Sequence, residues 1–231
     1  YVYFSNVESD QIIEFLNLFD FNDITNALWL NLSERLKQTV VKSQTQNFEE
    51  NRYQKSPHHK LNGLFAFNDK DPFNGIIRHF MTSNNQNISD EISMTSSSSV
   101  NSSRGPNNVL TIEASTFFES ESIPNSWICF EFKKHKLNPT HYTIQSSPYA
   151  RNFNHPKSWI IEGSNDEITW DILDIQNNSV HLNGFNQIHT FEILNKSKNG
   201  YRFIRMKLTG VTWSGAHYLK MSSFEFFGFL E

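Results

Sequence analysis

The chain has 231 residues, 14% of them aromatic with 21 Phe, and a formal net charge of −4; its mean hydropathy is −0.53. That length holds one large domain, or one of ordinary size with an appendage. A mildly acidic chain with no basic block repels phosphate backbones, which excludes nucleic acid as a partner. Nor is there a run of the roughly twenty apolar residues needed to insert into a bilayer.

The start, YVYFSNVESD, lacks the basic-then-apolar pattern of a leader and begins at Tyr1, so a fragment of a longer chain is expected. Ile12, Phe15, Leu16 and Phe19 form one helical stripe; Ile24, Leu28, Leu32 and Leu36 form a second behind the capping residues Asn22 and Asp23. Two helices are predicted within residues 9–40, too short to bury both stripes on each other. From Lys42 to Lys60 the periodicity gives way to Gln, Asn, Ser and Lys, which reads as a linker. The expected division is 1–41 helical, 42–69 linker and 70–231 a β domain. The adjacent His58 and His59 have no further ligands at metal-binding spacing, so no metal or other cofactor is expected.

Met94–Asn108 is rich in Ser and Asn and reads as a long loop that adds nothing to a core. Strands are predicted over Val109–Ile112, Trp127–Phe132, Thr140–Gln145, Trp159–Glu162, Trp170–Leu173, His189–Ile193, Tyr201–Leu208 and Tyr218–Phe227. Ile128, Phe130, Phe132, Ile160, Phe203, Ile204, Phe226 and Phe227 are the expected core, although neighbours in one strand face opposite ways. So many short strands with no helix between them predict a mostly β, antiparallel jelly-roll sandwich preceded by a short α-helical segment. The lone Cys129 cannot form an internal disulfide and reads as a half-buried thiol in a reducing, cytoplasmic setting. Glu162, Asp166, Asp171 and Asp174 fall in predicted turns or on outward positions, without the convergence that glycoside hydrolysis requires. No Gly-x-Ser-x-Gly, phosphate-loop or His-Glu-x-x-His motif occurs, and no enzyme is expected.

Ser126–Phe132, His141–Ser147, His155–Asp174 and Tyr201–Gly228 follow one another as in a coagulation-factor type C (discoidin, galactose-binding-like) domain, which this part of the chain resembles. The closest resemblance is to intracellular protist versions behind a BTB–BACK region, with residues 1–40 resembling the end of a BACK domain. The resemblance implies a ligand site in loops at one end of the sandwich. On Ser147–Lys157 it points to Tyr149, Arg151, Asn152, Asn154 and His155; on Thr209–His217 it points to Trp213 and His217. Rings would supply a flat apolar face while Arg and Asn fix hydroxyls or carboxylates. Each residue also has a purely structural reading: solvation for Arg151, end packing for Trp213, strand entry before Pro156 for His155. Some relatives hold a structural calcium, whose ligands have no match here.

Three functions follow from the resemblance. One is a module that recognises a protein or peptide, as the substrate-reading part of a BTB adaptor that meets a cullin ubiquitin ligase through its missing BTB region. The alternative is a lectin-like, carbohydrate-binding domain of a secreted or surface protein, which modification of the Asn-x-Ser sequons at Asn31, Asn87, Asn101, Asn177 and Asn195 would favour. A third is an accessory domain of a glycoside hydrolase.

Overall fold

A computed structural model of the chain describes residues 63–83, 87–112, 115–148, 154–195 and 199–231. The helices expected within 9–40 and residues 42–62 of the expected linker fall outside that range. In chain order the elements are β1 (Leu64–Phe65), α1 (Ile76–Thr82), β2 (Ile92–Ser96), β3 (Phe118–Glu119), β4 (Trp127–Phe132) and β5 (Leu137–Gln145). There follow β6 (Trp159–Ser164), β7 (Asp171–Gln176), β8 (Ile188–Glu192), β9 (Phe203–Leu208), β10 (Lys220–Met221) and β11 (Ser223–Leu230). β2-β4-β9-β6-β7 form one sheet and β1-β11-β5-β8 another, with β3 and β10 a separate pair. Every pairing is antiparallel.

Alternation builds the sandwich. Ile128, Phe130 and Phe132 on β4 and Ile204, Met206 and Leu208 on β9 face inward and are fully buried or nearly so. Across from them stand Phe224 and Phe226 of β11 and Tyr142 and Ile144 of β5. Phe130 bridges the sheets, its ring centroid 4.9 Å from that of Phe224 and 5.0 Å from that of Phe226. The other three expected core residues, Ile160, Phe203 and Phe227, are also buried, but on outer faces, as the period of two requires. Phe227 is sheltered by Phe67, whose ring meets it edge-on at 5.3 Å and stacks on His141 at 5.2 Å.

The first and last strands pair, Leu64 opposite Phe229, so the sheet begins upstream of residue 70; a two-residue strand is too short to show alternation. Met94–Ser96, read as part of a loop, belongs to β2, in which Ile92 is buried and Met94 packs on the core. Only its inward positions need be apolar, so Ser and Thr on the other face mask the strand. Val109–Ile112, read as a strand, is replaced by a 3₁₀ helix at Pro106–Leu110 that buries Val109 and Leu110. Pro106 at its first position lacks the N–H that a ladder would use and fits a helical start. Trp159 is fully buried, whereas Trp170 is half-exposed and lies against Arg205, 3.8 Å from guanidinium carbon to ring centroid.

Asp174 is also a correction, since it is buried and not outward. The β6–β7 ladder shifts between Ile161, opposite Asp174, and Glu162, opposite Ile172. Leu173 is the extra residue of this bulge, which lets Leu173 and Asp174 both turn inward. There the Tyr142 hydroxyl donates to Asp174 Oδ2 at 2.7 Å and receives the Trp159 indole N–H at 3.1 Å.

Candidate functional site at one end of the sandwich

Strand register gathers four connections at one end. Trp159 opposes Leu208 and Gln176, Ser96 opposes Ile128, and Gln145 opposes both Ser223 and Ile188. The segments joining β2 to β4, β5 to β6, β7 to β8 and β9 to β10 therefore emerge together. Backbone bonds tie them: Ser179 N–H donates to Lys157 O at 2.8 Å, Thr209 N–H to Ser158 O at 3.1 Å, and Ser146 N–H to Gln187 O at 2.9 Å.

Within this end the two loops singled out in the sequence touch. Ser214 Oγ donates to Asn154 Oδ1 at 2.5 Å, and the backbone N–H of Trp213 makes a long contact of 3.4 Å to the His155 carbonyl oxygen. Lys157 Nζ lies 4.7 Å from the Trp213 ring centroid, within the range of a cation–π contact. The β9–β10 loop doubles back through Thr212 N–H to Ala216 O at 2.8 Å and Gly215 N–H to Thr212 O at 3.0 Å. Gly215 takes φ +83°, the left-handed conformation that such a turn favours in glycine.

The expected residues fare differently. Tyr149, Arg151 and Asn152 lie outside the described residues. Asn154 and His155 are brought against Trp213 and Ser214, as above. His155 is 1% exposed, and neither ring nitrogen has a hydrogen-bond partner; Phe185, from the β7–β8 loop, faces it edge-on at 6.2 Å. Burial, with a smaller push from the charge of Lys220, holds the imidazole below its ordinary pKa and so neutral at pH 7. The Trp213 indole nitrogen is likewise buried and unpartnered, although the side chain as a whole is half-exposed. His217 is half-buried at the far end of its loop, its backbone N–H donating to Ser122 Oγ at 3.1 Å.

Lys157, Ser214 and Phe185 were not singled out. Lys157 stands in the loop that was read, two residues past His155, but nothing in its neighbours marks one lysine as special. Ser214 acts through a partner 60 residues away, and Phe185 sits in a stretch whose polar composition reads only as a spacer.

The four carboxylates of the hydrolase pattern are each engaged separately. Glu162 is buried and receives Arg205 Nη2 at 2.7 Å and Lys207 Nζ at 3.4 Å; Asp171 accepts from the Tyr201 hydroxyl at 3.0 Å. Asp166 closes its turn, held down at about 2 by the backbone N–H groups of Thr169 and Ile168. Burial pushes the Cys129 thiol up to about 12, so it stays protonated. Among the described residues no group of three or more His, Cys, Asp or Glu is arranged to hold a metal ion.

A family 32 carbohydrate-binding module from a family 31 glycoside hydrolase of Clostridium perfringens superposes with a TM-score of 0.50 at 15% identity, over 61% of this chain and 92% of the module. The fold is the discoidin, or galactose-binding-like, sandwich. Two further modules of this sandwich type, both from C. perfringens, match less well. One, solved with GalNAc-β-1,3-galactose, has a TM-score of 0.47 and 12% identity over 59% of this chain and 95% of its own. The other, solved with galactose, has a TM-score of 0.46 and 8% identity over 62% and 95%. No family model and no curated protein matches the chain.

Proposed function

We propose that this chain is a non-catalytic carbohydrate-binding module that holds a glycan at the end formed by residues 154–157 and 212–217. The observation that carries the reading is the junction of the two loops, which sets the half-exposed Trp213 beside Asn154, His155 and Lys157. An indole gives a sugar ring a flat apolar surface, and convergent N–H groups fix its oxygens. The TM-score 0.50 neighbour is itself a carbohydrate-binding module, which favours a glycan over the protein or peptide ligand of the adaptor reading. The adaptor reading, with its cullin partner, leans on residues 1–40, which lie outside the described residues, and its cytoplasmic setting leans on the lone Cys129.

A glycan array probed with the wild-type chain and with Trp213→Ala tests the proposal. Wild type should retain a defined set of glycans, and the variant should bind them at least about tenfold more weakly, a loss of roughly 1.4 kcal/mol, with an unchanged melting curve. Equal binding by a folded variant would place the site elsewhere.

A further inference from the structure

Three residues at this end have buried polar atoms without partners among the described residues. The Trp213 indole nitrogen only donates, a neutral His155 donates through one ring nitrogen and accepts through the other, and the Ser179 hydroxyl does both, so what discriminates between ligands here is charge. The oxygen of the Asn154 amide is already taken by Ser214. Lys157 adds an ammonium that makes no ion pair among the described residues, whereas Lys220 at the same end lies 3.5 Å from Glu119 and Lys207 lies 3.4 Å from Glu162. The chain as a whole carries a net charge of −4, yet with Lys220 and Glu119 paired across β10 and β3, the described loops here hold Arg104 and Lys157 against Glu121. A neutral sugar hydroxyl both donates and accepts; a carboxylate only accepts, and it brings the charge that Lys157 lacks.

We infer that this end selects an acidic sugar, a carboxylate-bearing uronic-acid unit, with the carboxylate on Lys157 and the sugar ring against Trp213. The inference rests on the carbohydrate-binding reading above. Selection comes from Lys157: a half-exposed ammonium with no ion pair among the described residues, beside an aromatic ring, rewards a ligand that offers an anion and an apolar face together. Screening by salt weakens such a contact, while the apolar part of binding persists.

The test is calorimetric titration of the wild-type chain, Lys157→Gln and Lys157→Arg with an oligogalacturonate and with a neutral galacto-oligosaccharide of the same length, at low and high salt. The oligogalacturonate should bind wild type at least about tenfold more tightly than the neutral probe. Its binding should weaken with salt, fall about tenfold in Lys157→Gln and recover in Lys157→Arg. Binding of the neutral probe as tight as, or tighter than, that of the uronate overturns the acidic selectivity but leaves the carbohydrate-binding reading standing, as does a uronate affinity unchanged in Lys157→Gln. Loss of binding to both probes and to a broad glycan array overturns both.

Discussion

Glu225 shows how much a single side chain can decide. It is 2% exposed on β11, and its carboxylate accepts the backbone N–H groups of Ile77 at 2.7 Å, Arg78 at 3.0 Å and Phe226 at 2.8 Å. It thereby fastens the first turn of α1 to the sheet. Burial pushes its pKa up from 4.5 to about 7, against the pull of those N–H donors. A folded-state pKa above the unfolded one stabilises the fold in full below about pH 4.5, and this contribution is lost as pH rises through about 7. Urea unfolding midpoints should accordingly include a component that declines across that window, and Glu225→Gln should remove it. The variant should also be less stable at pH 4.5 by about 1–3 kcal/mol, because the amide sets an NH2, which cannot accept, against these donors where the protonated carboxyl sets a second oxygen. An identical pH slope in wild type and variant would contradict this account. His155 acts in the opposite sense: its depressed pKa stabilises the fold above its ordinary 6.5 and is lost as pH falls. None of this was legible in the sequence, where Glu225 shows only as an outward polar position between two phenylalanines and its helix partners lie 147 and 148 residues away.

Among elements, β11 carries the sandwich. Its inward Phe224 and Phe226 meet Phe130 of β4, so Phe130→Ala should cost about 3–5 kcal/mol, measured by chemical denaturation, and an unchanged stability would refute the packing described. At the Phe227/Gly228 irregularity the strand crosses closely over β5. Gly228 has φ +142°, and a Cβ there would stand 2.2 Å from Asn138 O. Gly228→Ala should therefore destabilise the fold by more than about 1 kcal/mol, through both backbone strain and the clash; a neutral substitution would mean that the two strands are not this close. Strands β4, β6 and β9 were legible because their inward residues are large and their alternation unbroken. β2 was not, since Ser93, Thr95 and Ser96 look the same in a strand as in a loop. The inward turn of Asp174 comes from a bulge, and a bulge leaves no mark in a pattern that assumes strict alternation.

At the scale of the molecule, the sandwich and the gathering of loops at one end followed from the order of the strands and from the resemblance of four sequence blocks to the discoidin domain. What did not follow was how those loops are joined. The Ser214–Asn154 bond and the place of Lys157 on Trp213 depend on tertiary contacts between segments about 60 residues apart, which local pattern cannot report. The central claim is that glycan is held at this end and not at the opposite one, where the β4–β5 and β6–β7 turns lie. Amide chemical-shift mapping during titration with a glycan selected from the array tests it most directly. The account predicts saturable shifts concentrated at Asn154, His155, Lys157 and Thr212–His217. Shifts confined to Lys133–Lys136 and Asn165–Trp170, with residues 154–157 and 212–217 unmoved, would contradict it.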